Sequence, residues 1–118
     1  MEITRELELP APADEVWEAL TVPARLAEWF ANDVELDARP GGEGVFRWDN
    51  GEVRTAVVEE VDPGRRFGFR WTDESAESAV VFELDEVPGG TRVTVRETSV
   101  EFSAALGLQL MLAAFATA

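Results

Sequence analysis

Over residues 2–9 apolar and polar positions alternate, with Ile3, Leu7 and Leu9 on one side and Thr4, Glu6 and Glu8 on the other. A period of two marks a strand with one buried face. Between Ala13 and Phe30 the period lengthens to that of a helix. Val16, Trp17 and Leu20 form one apolar stripe, Asp14 or Ala13 opens the helix, and Glu15 and Glu18 follow in its first turns. Carboxylates are favoured there by the partial positive charge of a helix N-terminus. Pro23 cannot continue that helix, but it suits the first turn of a second, which presents Leu26, Trp29 and Phe30.

Alternation then returns and persists. Val34, Leu36 and Ala38 oppose Glu35, Asp37 and Arg39 up to the turn Pro40-Gly41-Gly42. Gly44 to Asp49 and Glu52 to Val61 read as a hairpin across Asn50-Gly51, a strong two-residue turn signal. Asp62-Pro63-Gly64 turns the chain into a strand from Arg66 to Thr72, and a polar connection runs from Asp73 to Glu77. Ser78 to Val87 and Thr91 to Thr98 pair across Pro88-Gly89-Gly90. Ser103 can cap a last helix reaching Phe115, with Leu108, Met111, Leu112 and Phe115 on one face and Leu106 and Leu110 on the other. Consecutive hairpins imply an antiparallel sheet, so the expected class is α+β in one domain over residues 1–118.

Composition removes several chemistries. The chain of 118 residues has no Cys, His, Lys or Tyr, which leaves Asp, Glu, Ser, Thr and Arg for any reaction. Thiolate zinc sites and disulfides are excluded, and no metal, cofactor or catalytic set is expected. A net charge of −14 speaks against nucleic acid and anionic membrane surfaces. Met1 leads straight into a polar alternating strand, so no secretory leader and a cytoplasmic protein are expected. The last helix carries no charge and is too short for a bilayer, which needs about 17–25 residues. A helix apolar all round is buried all round. Its outer face therefore packs either on a second copy, giving a homodimer through Leu106 and Leu110, or beneath other parts of the same chain.

The run Pro10-Ala11-Pro12-Ala13-Asp14-Glu15-Val16-Trp17-Glu18-Ala19-Leu20-Thr21, followed by Leu26-Ala27-Glu28-Trp29-Phe30, resembles the opening of the START-like (SRPBCC) superfamily. It is most similar to the branch named for the activator of the heat-shock-protein ATPase homologue, the AHSA-like family. Pro40-Gly41-Gly42, Val58-Glu59-Glu60-Val61-Asp62-Pro63, Arg66-Phe67-Gly68-Phe69-Arg70-Trp71 and Gly89-Gly90-Thr91-Arg92-Val93-Thr94-Val95 fall where that family places similar segments. The resemblance implies a helix-grip fold. In it a curved seven-stranded antiparallel sheet wraps a C-terminal helix, two short helices follow strand 1, and a hydrophobic cavity lies between sheet and helix.

On that fold the aromatic residues acquire a candidate role. Phe67, Phe69 and Trp71 share one strand face, Phe46 and Trp48 another, and Phe82 a third, while Trp17, Trp29, Phe30 and Met111 stand on helices. Either these side chains line a cavity for an apolar ligand or they fill a solid core. Two charges interrupt the apolar faces: Arg5 between Ile3 and Leu7, and Glu97 after Val93 and Val95. The grip sets first and last strands side by side, so Arg5 and Glu97 either meet and hold a ligand carboxylate or hydroxyl, or both reach solvent from strand ends. Strict alternation past Val57-Val58 turns one of Glu59 and Glu60 inward, although a nearby turn favours exposure. The leading expectation is non-enzymatic binding of a small hydrophobic or lipid-like ligand. The alternatives are a protein-interaction module, such as a co-chaperone or regulatory partner, and a carboxylate-dependent cyclase or hydrolase.

Overall fold

A computed structural model describes residues 2–72 and 77–99. The expected terminal helix, with Leu106, Leu110 and Met111, lies outside the described residues. Strand β1 (Glu2–Leu9) leads into helices α1 (Ala13–Thr21) and α2 (Pro23–Trp29). Six strands follow: β2 (Asp33–Leu36), β3 (Glu43–Arg47), β4 (Val53–Asp62), β5 (Arg66–Thr72), β6 (Glu77–Val87) and β7 (Gly90–Ser99). All pairings are antiparallel in the order β1-β7-β6-β5-β4-β3-β2, which makes a curved sheet of the helix-grip type.

The two helices arise as the period predicts. Ala13 opens α1 as expected, with Pro12 at the N-cap and no side-chain cap, and Asp14 and Glu15 occupy the first turn. Pro23 takes the first turn of α2. Val16, Ala19, Leu20 and Leu26 are buried, and α1 packs on β6 and β7 while α2 packs on β2. Facing them, Phe46, Val58, Phe67, Phe69, Trp71, Val80, Phe82, Val93 and Val95 form the buried side of the sheet.

Two local expectations need correction. Asn50-Gly51 is not a two-residue turn: the Trp48 amide donates to the Glu52 carbonyl at 2.9 Å, and Gly51 takes φ +91° while Asn50 stays at negative φ. The loop therefore holds Asp49, Asn50 and Gly51, with the glycine supplying the left-handed residue of a three-residue connection. The second correction is to strict alternation at Glu59 and Glu60, where the exposure that the nearby turn favours is what holds. A bulge between Val58 and Glu60 shifts the register, so both glutamates are exposed, and Val61 returns to the buried side opposite Phe67. Exposed ion pairs serve them, Arg70 with Glu59 at 3.3 Å and Arg66 with Glu60 at 3.2 Å.

The corner from β1 into α1 is built on the start of β7. Thr91 Oγ1 donates to the Ala11 carbonyl at 2.8 Å. Beneath it Gly90 passes so close to β1 that an added Cβ would lie 1.9 Å from the Leu9 carbonyl oxygen. Because the obstacle is backbone, Gly90→Ala is expected to cost at least about 1–3 kcal/mol, the scale of overpacking. Urea unfolding of the two proteins checks this; matching midpoints would show that β1 yields freely.

Candidate functional site

The curvature of the sheet gathers aromatic rings from separate strands and from the end of α2. Phe30 stacks on Trp71 at 5.5 Å between ring centres, and Phe46 meets Phe30 edge-on at 5.3 Å. Phe69 lies between Trp71 at 5.3 Å and Phe82 at 6.2 Å. Phe67 adjoins Phe69 at 5.8 Å and receives Trp17 from α1 at 6.0 Å. Edge-on and offset pairs of this kind contribute about 0.5–1.5 kcal/mol each beyond their area.

The four tryptophans do different work. Trp29 Nε1 donates to the Ala19 carbonyl at 2.9 Å, fastening α2 to α1, and Trp48 Nε1 donates to the Phe30 carbonyl at 2.9 Å. Both are half-buried, and together they wall a shallow groove of about 300 Å³ beside Ala31 and Asn32. Trp17 is half-buried at the opposite end of the sheet face. Trp71 is fully buried, and its Nε1 has no hydrogen-bond partner.

Glu97 is the second orphan. It is 2% exposed, and neither carboxylate oxygen has a hydrogen-bond partner. Its strand position explains the burial: Glu97 pairs with Val80, which pairs with Phe69, so the carboxylate continues an apolar row. Burial pushes its pKa up from the ordinary 4.5, against the opposing pull of Trp71, Ser78 and the charge of Arg54. Burying an unpaired carboxyl is costly, and groups of this sort concentrate at functional sites.

Arg5 behaves otherwise. β1 and β7 are adjacent as expected, but Glu97 stands opposite Ile3 and Arg5 opposite Val95. Arg5 is exposed and donates to the Thr4 carbonyl at 3.0 Å, so of the two charges only Glu97 is drawn into the fold. The arginine whose charge acts on Glu97 is Arg54. It lies 4.6 Å over the Trp71 ring and pairs with Glu52 at 3.0 Å.

One end of the buried face therefore carries Arg54, Trp71, Ser78 and Glu97, from β4, β5, β6 and β7. Sequence reasoning singled out Trp71 and Glu97 but missed Arg54 and Ser78. Parity held the signal for both: Arg54 precedes Ala56 and Val58 at a spacing of two, and Ser78 precedes Val80 and Phe82 likewise. No group of three or more potential metal ligands gathers among the described residues.

This architecture is matched by relatives. The family model described as Activator of Hsp90 ATPase homolog 1-like protein matches residues 10–109, and the chain belongs to that family of the START-like superfamily. It is thus a helix-grip domain of the ligand-binding type. Protein MLL2253 from Mesorhizobium loti has the same fold, with a TM-score of 0.90 at 20% identity over 99% of this chain and 95% of that one. CalU16 from Micromonospora echinospora gives a TM-score of 0.81 at 26% identity, over 97% of this chain and 73% of that one. DynU16, a protein of the dynemicin biosynthetic locus, gives 0.80 at 27% identity over 98% of this chain but 43% of its own. No curated protein matches the chain. No helix among the described residues is long and apolar enough to cross a membrane.

Proposed function

We propose that this chain binds a small, largely apolar molecule against the aromatic face of its sheet without transforming it. The observation that carries the reading is Glu97, a buried carboxylate without a hydrogen-bond partner on a face built largely of Phe, Trp and Val. A core selected only for stability gains by replacing such a group with an apolar one. A site that must orient a ligand keeps it, because a few polar groups in an apolar wall fix direction and specificity. Likeness to a protein of a biosynthetic locus is in keeping with a small-molecule ligand.

The same carboxyl favours a second reading, a carboxylate-dependent cyclase or hydrolase. Burial raises its pKa, the direction in which carboxyls that act as general acid or base are tuned. The absence of His, Cys, Lys and Tyr leaves few groups to work beside it, which favours binding.

Native mass spectrometry of freshly purified protein, joined to titration with a hydrophobic fluorescent probe, tests both readings. Saturable uptake by the native chain, weakened in Phe69→Ala and Trp71→Ala, is the expected result. Uptake by the variants alone would mean that the native face is a solid core. A carried-over molecule released in altered form would favour the enzyme.

A further inference from the structure

Two orphaned polar groups of opposite sense meet at the polar end of the face. Trp71 Nε1–H is a donor with no acceptor, and the Glu97 oxygens are acceptors with no donor. They come from β5 and β7, on either side of β6, where Ser78 pairs with Trp71 and Val80 pairs with Glu97. The indole N–H and the Ser78 hydroxyl lie near enough to oppose the rise in the carboxyl's pKa, but neither reaches the Glu97 oxygens with the distance and angle of a made hydrogen bond. Each orphan in this dry setting has lost its hydration without a bond to replace it. One group that both accepts and donates relieves both costs.

Resting on the reading of this face as a ligand site, we propose that its ligand is an apolar molecule carrying a hydroxyl, which accepts from Trp71 Nε1–H and donates to the Glu97 carboxylate. The alternatives fail on chemistry. An ammonium group satisfies Glu97 but offers Trp71 no acceptor. A carboxylate accepts from Trp71 but sets one negative charge against another at Glu97. A hydrocarbon leaves both atoms unpaired. A hydroxyl presents donor and acceptor on a single oxygen, which suits two partners on neighbouring side chains, and the rings of Phe46 and Phe69 packed edge-on against Trp71 make the surroundings aromatic.

The test compares 2-naphthol, naphthalene, 2-(aminomethyl)naphthalene, which is an ammonium at neutral pH, and 2-naphthoate by equilibrium titration of the whole chain. Naphthol is expected to bind at least about tenfold more tightly than naphthalene, the equivalent of about 1.4 kcal/mol, with naphthoate the weakest. Glu97→Leu removes the acceptor without leaving a buried charge, and Trp71→Phe removes the donor while keeping a ring. Either variant is expected to bring naphthol within about threefold of naphthalene, the ratio of the two affinities being the readout whatever the variant does to both. If only one variant folds, it suffices. Equal binding of naphthol and naphthalene by the native chain, or an advantage that survives both variants, overturns the hydroxyl assignment and leaves the ligand site standing. Tighter binding of the amine or the acid than of naphthol overturns it too. Failure of all four to bind removes the site itself.

Discussion

Phe46→Ala is expected to cost about 3–5 kcal/mol, a large share of the roughly 5–15 kcal/mol that holds a domain folded. Phe46 is buried on β3, and its ring meets Phe30 at 5.3 Å, Trp71 at 5.9 Å, Phe69 at 6.0 Å and Trp48 at 6.4 Å. Truncation strips contacts from four rings supplied by the end of α2, by β5 and by the β3–β4 loop, which cannot all collapse inward together. Guanidinium unfolding measures the loss, with Val53→Ala on the exposed surface as a control expected to fall within about 0.5 kcal/mol. A cost for Phe46→Ala no greater than that control would mean that the ring borders open space and holds nothing together.

Glu97→Gln is expected to stabilise the chain at neutral pH by about 1–3 kcal/mol, because an amide of the same shape carries no charge to bury. Burial holds the Glu97 carboxyl above its ordinary 4.5, so between that value and the folded one the folded chain keeps a proton that the unfolded chain has released. The stability that this proton lends is complete below about pH 4.5 and is lost as pH rises through the folded pKa. The gain from Glu97→Gln therefore grows from acid toward neutral pH and vanishes at the acid end. Thermal melts of both proteins from pH 4 to 8 check this, the difference between them cancelling the other carboxylates. A constant difference, or a less stable variant at neutral pH, would show that Glu97 is paired when folded. A stabilising substitution at a binding residue is the usual trade between stability and function.

The local devices of the chain were legible in sequence because they depend on few neighbours. Period two gives β1 and β5, a period near 3.6 gives α1, and Pro23 and Pro63 stop and turn the chain through covalent geometry alone. The errors fall where a neighbour decides. Alternation alone turned Glu59 or Glu60 inward, but the bulge that exposes both exists only in the pairing of β4 with β5. Asn50-Gly51 carries the sign of a two-residue turn, yet pairing at Trp48 and Glu52 makes the loop one residue longer.

The site divides in the same way. That Phe46, Phe67, Phe69, Trp71 and Phe82 share one face follows from parity, since each side chain on a strand points opposite to the next. Parity treats Arg5 and Glu97 alike, each being a charge in an apolar series. Register separates them: Glu97 extends the row of Val80 and Phe69, whereas Arg5 lies on edge strand β1 with solvent within reach of its long side chain. Arg54 and Ser78 join Glu97 only because β4, β5, β6 and β7 lie side by side in one curved sheet. The sequence by itself determined which residues turn inward wherever alternation runs without a bulge, because there it is settled within each strand. Only the tertiary structure decided which inward polar groups come together and which lose their contact with water, because both depend on neighbours far away in the chain.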